Sequence, residues 1–269
     1  LCAVKTGVNL ELLAKIANHG CTNNKDKADY ADLQKVDQIF MVANKKERNQ
    51  LGLKGTTEIF DDMDSATRIN LWGCMHKEVV KRILDGTDMF KGFANIKQAR
   101  DAIGIDVEWY DETAGGQAYL LLAFEEGELA GFYAGETLNK RLCRHGNGSY
   151  GSPSKSKNQN VYNKFIEHGT DPNDSATCAV ITGCVRVPMV VEDYTYKNEK
   201  GETKQGKGWK VCPCFLEEMG SEETAVTSVT KQLCGCMELM TGFAACIGGA
   251  RMGNSTSRPP CLNTSASAS

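Results

Sequence analysis

Apolar residues along this chain recur mostly at helical spacing. From Val8, Leu10, Leu13, Ile16 and Ala17 fall on one face, and Gly20 ends the run. After the polar stretch CTNNKDKAD, Leu33, Val36, Ile39, Phe40 and Ala43 predict a second helix, with Gly52 as its stop. The longest early pattern runs over 57–85, where Ile59, Met63, Ala66, Ile69, Trp72, Met75, Val79 and Ile83 step by three and four. Asp61, Asp62 and Asp64 stand early and Lys77, Lys81 and Arg82 late, as the helix dipole favours. One helix there would be about 40 Å long. A break at Gly86 and a new cap at Thr87 predict a further helix to Gly104.

From Gln117 to Cys143, Tyr119, Leu122, Leu129, Tyr133, Leu138 and Leu142 predict another long helix, over 117–143. Gly127, Gly131 and Gly135 interrupt it, each at a cost of up to about 1 kcal/mol, and a second helix can approach closely over such positions. The pattern then changes. Residues 144–160 are nearly free of apolar side chains and read as an exposed loop. Val, Ile, Thr and Tyr then dominate up to VCPC, and Asn198 to Gly201 supply turn chemistry, so a β-hairpin with a charged tip is expected in a loop and β insert over 144–220. A last helix is expected over 221–249. Ser221 is its cap, Val226, Val229, Leu233, Cys236, Met240, Phe243 and Ile247 form its seam, and Gly248-Gly249 ends it. The expected fold is mainly α: an elongated antiparallel helical bundle with a loop-rich lobe and a small β-hairpin, forming one domain over 1–253. The Ser/Thr-rich tail 254–269 is expected to be a flexible linker. No internal repeat is present.

Composition narrows the function classes. The chain has 269 residues, 41% of them hydrophobic, with a formal net charge of −3, enough apolar material for a core and no basic excess to attract nucleic acid. No apolar run is long enough to span a bilayer. The opening LCAVKTGV and the closing RPPCLNTSASAS read as the ends of a mature fragment from which targeting segments have been removed.

Twelve cysteines change the picture most: Cys2, Cys21, Cys74, Cys143, Cys178, Cys184, Cys212, Cys214, Cys234, Cys236, Cys246 and Cys261. An even, high count points to an oxidising compartment and a disulfide-stapled domain. Asn-x-Ser/Thr sequons at Asn147, Asn173, Asn254 and Asn263 lie in loop-like sequence, where N-glycans are tolerated.

Cys212-Pro-Cys214 and Cys234-Gly-Cys236 together suggest four zinc ligands. The second pair lies in the last helix, where residues two apart diverge by about 200°, so the two cannot readily grasp one ion. Two separate disulfide partners suit that geometry better, and Cys234, Cys236 and Cys246 are the natural partners for the VCPC segment. A redox site of the Cys-x-x-Cys type is absent. Cys74/His76 and Cys143/His145 are the candidate thiol–imidazole pairs, and the first again diverges on a helix. His19 reads as a helix-end residue, and His168 as a loop residue. The acidic runs FDDMD and FEEGE read as solvated helix faces. No metal, cofactor or catalytic constellation is expected. Tyr194, Tyr196 and Trp209 on the hairpin are the candidate ligand contacts.

Two stretches carry a family resemblance. LCAV followed by ADYADLQKVDQIFMVANKKE, with a mid-helix Asp37, and GKGWKVCPCF, a Gly-Lys segment leading into Cys-x-Cys, resemble the N-terminal domain of the trypanosome variant surface glycoproteins. Gly208-Trp209 and Pro213 stand where that family usually has Ser after the Gly-Lys and Leu between the cysteines. The resemblance implies a non-enzymatic, N-glycosylated coat protein, held outside the plasma membrane by a GPI anchor rather than a transmembrane helix. Such a protein forms a homodimer or other homo-oligomer, shields the membrane and presents variable loops to host antibodies. Two alternatives stand beside it: a related surface receptor binding a host serum protein, and a zinc- or thiol-dependent enzyme.

Overall fold

A computed structural model describes residues 7–42, 56–107, 115–138, 179–198 and 200–251. Among them are eight helices and five strands. The helices are α1 (Leu10–Thr22), α2 (Tyr30–Val42), α3 (Thr56–Asp62), α4 (Ser65–Gly73), α5 (Lys77–Asp85), α6 (Ile96–Ile103), α7 (Pro213–Met219) and α8 (Glu223–Arg251). The strands are β1 (Gly116–Glu125), β2 (Glu128–Thr137), β3 (Ala179–Val185), β4 (Met189–Lys197) and β5 (Thr203–Val211). An antiparallel sheet of order β2-β1-β3 and a separate antiparallel β4-β5 pair make the fold mixed α and β. This corrects the expected mainly helical bundle.

The correction has two physical sources. The 117–143 segment is a β-hairpin, not a helix. β1 is the central strand, and its residues from Gln117 to Leu122 are all buried. A strand covered on both faces carries a continuous apolar run, which periodicity alone does not separate from a buried helix. Glu126 and Gly127 take positive φ of 53° and 83° at the turn, and Gly131 and Gly135 lie in β2. The glycines that weakened the helix therefore belong to a sheet.

The 57–85 segment is three helices, not one. The Asp64 carboxylate accepts from the Thr67 amide at 2.7 Å and starts α4. The His76 ring accepts from the Glu78 amide and starts α5. Each cap satisfies a first-turn N–H that would otherwise lack a partner. Between them Met75 bridges to Gly183 of β3. Tertiary pairing here outweighs a helical pattern continued across both breaks.

Other expectations differ in detail. The segment after Thr87 is turns until Asn95 caps α6. α8 begins at Glu223 rather than at a Ser221 cap, and it continues through Gly248-Gly249. α1, the end of α5 at the left-handed Gly86, and the β4–β5 hairpin follow the sequence pattern. The span of α2 past Val42 lies outside the described residues.

One core unites the layers. Phe40 of α2 meets Phe60, Trp72 and Phe243 at ring-centroid distances of 4.9, 5.6 and 5.0 Å, joining α2, α3, α4 and α8. α8 lies against β1, β2 and β3, and a buried contact of 2.9 Å between the Thr182 and Thr241 hydroxyls ties β3 to it. No disulfide joins any two of the described cysteines. The framework there is burial and hydrogen bonding, which corrects the expected disulfide staples.

Candidate functional site

Among the described residues, the β4–β5 hairpin carries a long exposed run on β4. Its strands pair in register from Met189↔Val211 to Lys197↔Thr203. The turn is closed by Asn198, whose side-chain oxygen accepts from the amides of Lys200 and Glu202. From Val191 to Lys197 every residue of β4 is exposed. An isolated two-stranded hairpin is marginal in water, so its root matters. Val211 is buried there and its amide donates to the Glu223 carboxylate at 3.1 Å, while Met189 packs against the core. The strands carry Glu192, Asp193, Lys197, Lys204 and Lys210, charges that discourage unspecific edge pairing.

Tyr194 and Tyr196 lie on one face of this hairpin, at 50% and 45% exposure, with ring centroids 5.7 Å apart. Tyr194 sits across β5 above two glycines. A Cβ on Gly206 would fall 2.8 Å from the tyrosine ring, and one on Gly208 would fall 3.3 Å from it. Those glycines let the ring lie flat on the opposite strand, a device that locks an exposed aromatic in place. Trp209 holds the register position opposite Val191, one step out of phase with Gly206 and Gly208. The predicted trio thus divides in register: two tyrosines on one phase and Trp209 on the other. The residues were present in sequence, but only the register shows that Gly206 stands opposite Tyr194 and Gly208 opposite Glu192, beside the tyrosine ring.

The cysteines form two environments. Cys21, Cys74, Cys234 and Cys236 are buried. Burial pushes the Cys74 thiol well up, and the neighbouring Cys21, Cys184 and Cys234 push it further. Burial likewise raises Cys21, Cys234 and Cys236. Such thiols behave as small hydrophobic side chains rather than nucleophiles. Cys234 turns toward Thr137, its Sγ 3.9 Å from that carbonyl oxygen. Cys236 is also fully buried, so both cysteines of this pair face packed structure rather than one facing a seam and the other away.

Cys184 is buried as well and Cys246 is half-buried, while Cys212 and Cys214 are half-buried and exposed, with sulfurs 2.9 Å apart. Pro213 opens α7 between them, so the segment is the start of a helix. The other cysteines, Cys2, Cys143, Cys178 and Cys261, lie outside the described residues, as do the four sequon asparagines, His145 and His168.

The catalytic alternatives do not assemble among the described residues. The Cys74 thiol donates to the carbonyls of Ala17 and Asn70, and His76 serves as a helix cap. His19 contacts the Arg186 carbonyl oxygen at 2.8 Å and meets the Phe215 ring edge-on at 4.8 Å. Asp64 is a cap whose carboxyl is held below the usual range, mainly by the Thr67 amide. Glu125, Glu126 and Glu128 belong to the β1–β2 turn region rather than to a helix face. Among the described residues no group of three or more His, Cys, Asp or Glu is placed to hold a metal ion. Nor is any helix there long and apolar enough to cross a membrane. No protein-family model, curated protein or solved structure matches the chain.

Proposed function

We propose that this chain is a non-enzymatic cell-surface glycoprotein that presents the β4–β5 hairpin to molecules outside the cell. The observation that carries this reading is the exposed Tyr194/Tyr196 pair, with Tyr194 lying over Gly206 and Gly208, on a hairpin rooted in the core at Met189 and Val211. Rigid, half-exposed tyrosines give contact area at little entropic cost and are enriched where proteins bind one another. The two stretches that resemble variant surface glycoproteins, and the sequons at Asn147, Asn173, Asn254 and Asn263, support a surface location and a lipid anchor.

Within that class the hairpin serves one of two roles. As a coat antigen, in a homo-oligomer, it is what host antibodies meet. As a receptor, it is the contact for a host serum protein, and the ordered aromatic pair favours this second role. Release of the protein from intact cells by a phosphatidylinositol-specific phospholipase, with a mass shift on N-glycan removal, tests the surface assignment. A protein that stays inside the cell and carries no glycan sinks it. Sub-micromolar binding of a serum component then separates receptor from coat.

A further inference from the structure

The segment Cys212-Pro-Cys214 is a candidate for chemistry of its own. Its sulfurs are 2.9 Å apart, closer than two unbonded sulfurs sit in ordinary contact. Backbone on both sides is fixed. The Cys212 amide donates to the Pro188 carbonyl at 2.9 Å, and the Cys212 carbonyl accepts from the amides of Phe215 and Leu216. Phe215 is buried against His19 and anchors the short helix. Proline at the intervening position limits the ways the pair can separate.

We propose that Cys212 and Cys214 form a redox-reactive dithiol that closes on itself by exchange with a small disulfide of the glutathione class, at the root of the exposed hairpin. The inference goes beyond the surface-glycoprotein reading and does not depend on it. In the first step the Cys212 thiolate attacks one sulfur of the disulfide RS–SR. The protein–SR mixed disulfide forms, the S–S bond of the reagent breaks, and RS⁻ leaves and takes up the proton that Cys212 gave to solvent. In the second step the Cys214 thiolate, its proton lost to solvent, attacks the Cys212 sulfur and expels the second RS⁻, which is protonated in turn. Overall the two protein thiols lose two electrons and two protons, and RS–SR gains both to give two RSH.

Two further observations support this order of events. Contact with the Cys214 thiol is the main reason that the Cys212 thiol lies below its usual value of 9.0, and the same contact raises Cys214. The buried thiols are shifted upward, so the nucleophile is chosen by environment. Of the partners expected from sequence, Cys234 and Cys236 are packed inside and Cys246 is half-buried further along α8.

Trypsin cuts after Lys210 and Lys231, so one peptide carries this pair and no other cysteine. The full chain, reduced and then equilibrated with reduced and oxidised glutathione, is quenched with acid, alkylated and mapped. The expected result is that this peptide loses two hydrogens and resists alkylation, while Cys21, Cys74, Cys234 and Cys236 remain reduced. Cys214→Ser is expected to stall as a glutathione adduct on Cys212. Cys212→Ser is expected to react at least about tenfold more slowly, as loss of the lower-pKa thiol implies. A pair that stays fully alkylated across glutathione ratios that oxidise a control dithiol overturns the proposal. So does a peptide found bonded to any other cysteine, or equal rates for the two variants.

Discussion

Arg68 holds Asp37 in a nearly buried ion pair, Nε to Oδ1 at 3.1 Å and to Oδ2 at 3.2 Å, with 15% and 5% of the two side chains exposed. The Arg68 Nη1 also donates to the Met63 carbonyl at 2.7 Å. The pair therefore ties α2 to α4 and to the turn that ends α3. Asp37 is the mid-helix acid that entered the family resemblance, and here its role is to satisfy a cation across the helix interface. Removing one partner leaves the other charge buried and uncompensated. Asp37→Ala is expected to cost about 3–5 kcal/mol, read as a fall in the urea midpoint. Replacing both, as Asp37→Leu with Arg68→Met, is expected to recover most of that loss. Equal midpoints for wild type and Asp37→Ala would refute a structural role for the pair.

Gly73 and Cys21 make a second close contact, between α4 and α1. A Cβ added at Gly73 would sit 2.3 Å from the Cys21 sulfur. Gly73→Ala is expected to destabilise by about 1–3 kcal/mol through overpacking. Adding Cys21→Ala is expected to relieve the clash and restore part of the loss. A double variant no better than Gly73→Ala would show that the sulfur is not the obstacle.

His76 sets a pH dependence. Burial holds its pKa below the usual 6.5, because the ring is most stable neutral, accepting from the Glu78 amide. In the unfolded chain it takes up a proton near its usual value; in the folded chain, only at lower pH. Between those two values the unfolded state binds more protons, so stability falls as pH drops below about 6.5 toward the folded value, and is fully present above it. His76→Asn keeps a cap acceptor and removes the titration. Urea midpoints at about pH 7.5 and about pH 5.5 are expected to differ for wild type and to converge for the variant. A wild-type midpoint that rises on acidification over this range would contradict the assignment.

These sites also show what the sequence carried and what it hid. Local signals were legible: the α1 stripe from Leu13 to Ala17, the left-handed Gly86, and the β4–β5 hairpin with its Asn198 turn. β1 was not, because a strand buried on both faces shows no alternation, and its run from Tyr119 to Leu122 matches a helix as well as a strand. The break between α4 and α5 was hidden because it depends on a partner far away in sequence: the His76 amide donates to Thr182 of β3, and that strand's Cys184 amide donates to Cys74. Helix spacing set Cys234 and Cys236 pointing apart, and both lie buried in α8. It did not show that Cys212 and Cys214 turn toward each other, since Pro213 starts a helix there instead of extending the strand. The tyrosine pair was named from sequence, but the glycines beneath Tyr194 became visible only once the strands were in register.

The most direct test of the central claim is the binding of serum components, and of antibodies raised against the native chain, to wild type and to Tyr194→Ser/Tyr196→Ser. Both tyrosines are exposed, so the double variant is expected to keep the wild-type urea midpoint within about 0.5 kcal/mol. The account predicts that it loses at least about tenfold in affinity, about 1.4 kcal/mol, for a serum component or for a major antibody class. Unchanged affinity for every binder, in a variant that folds as the wild type does, would contradict the hairpin as the contact surface of this protein.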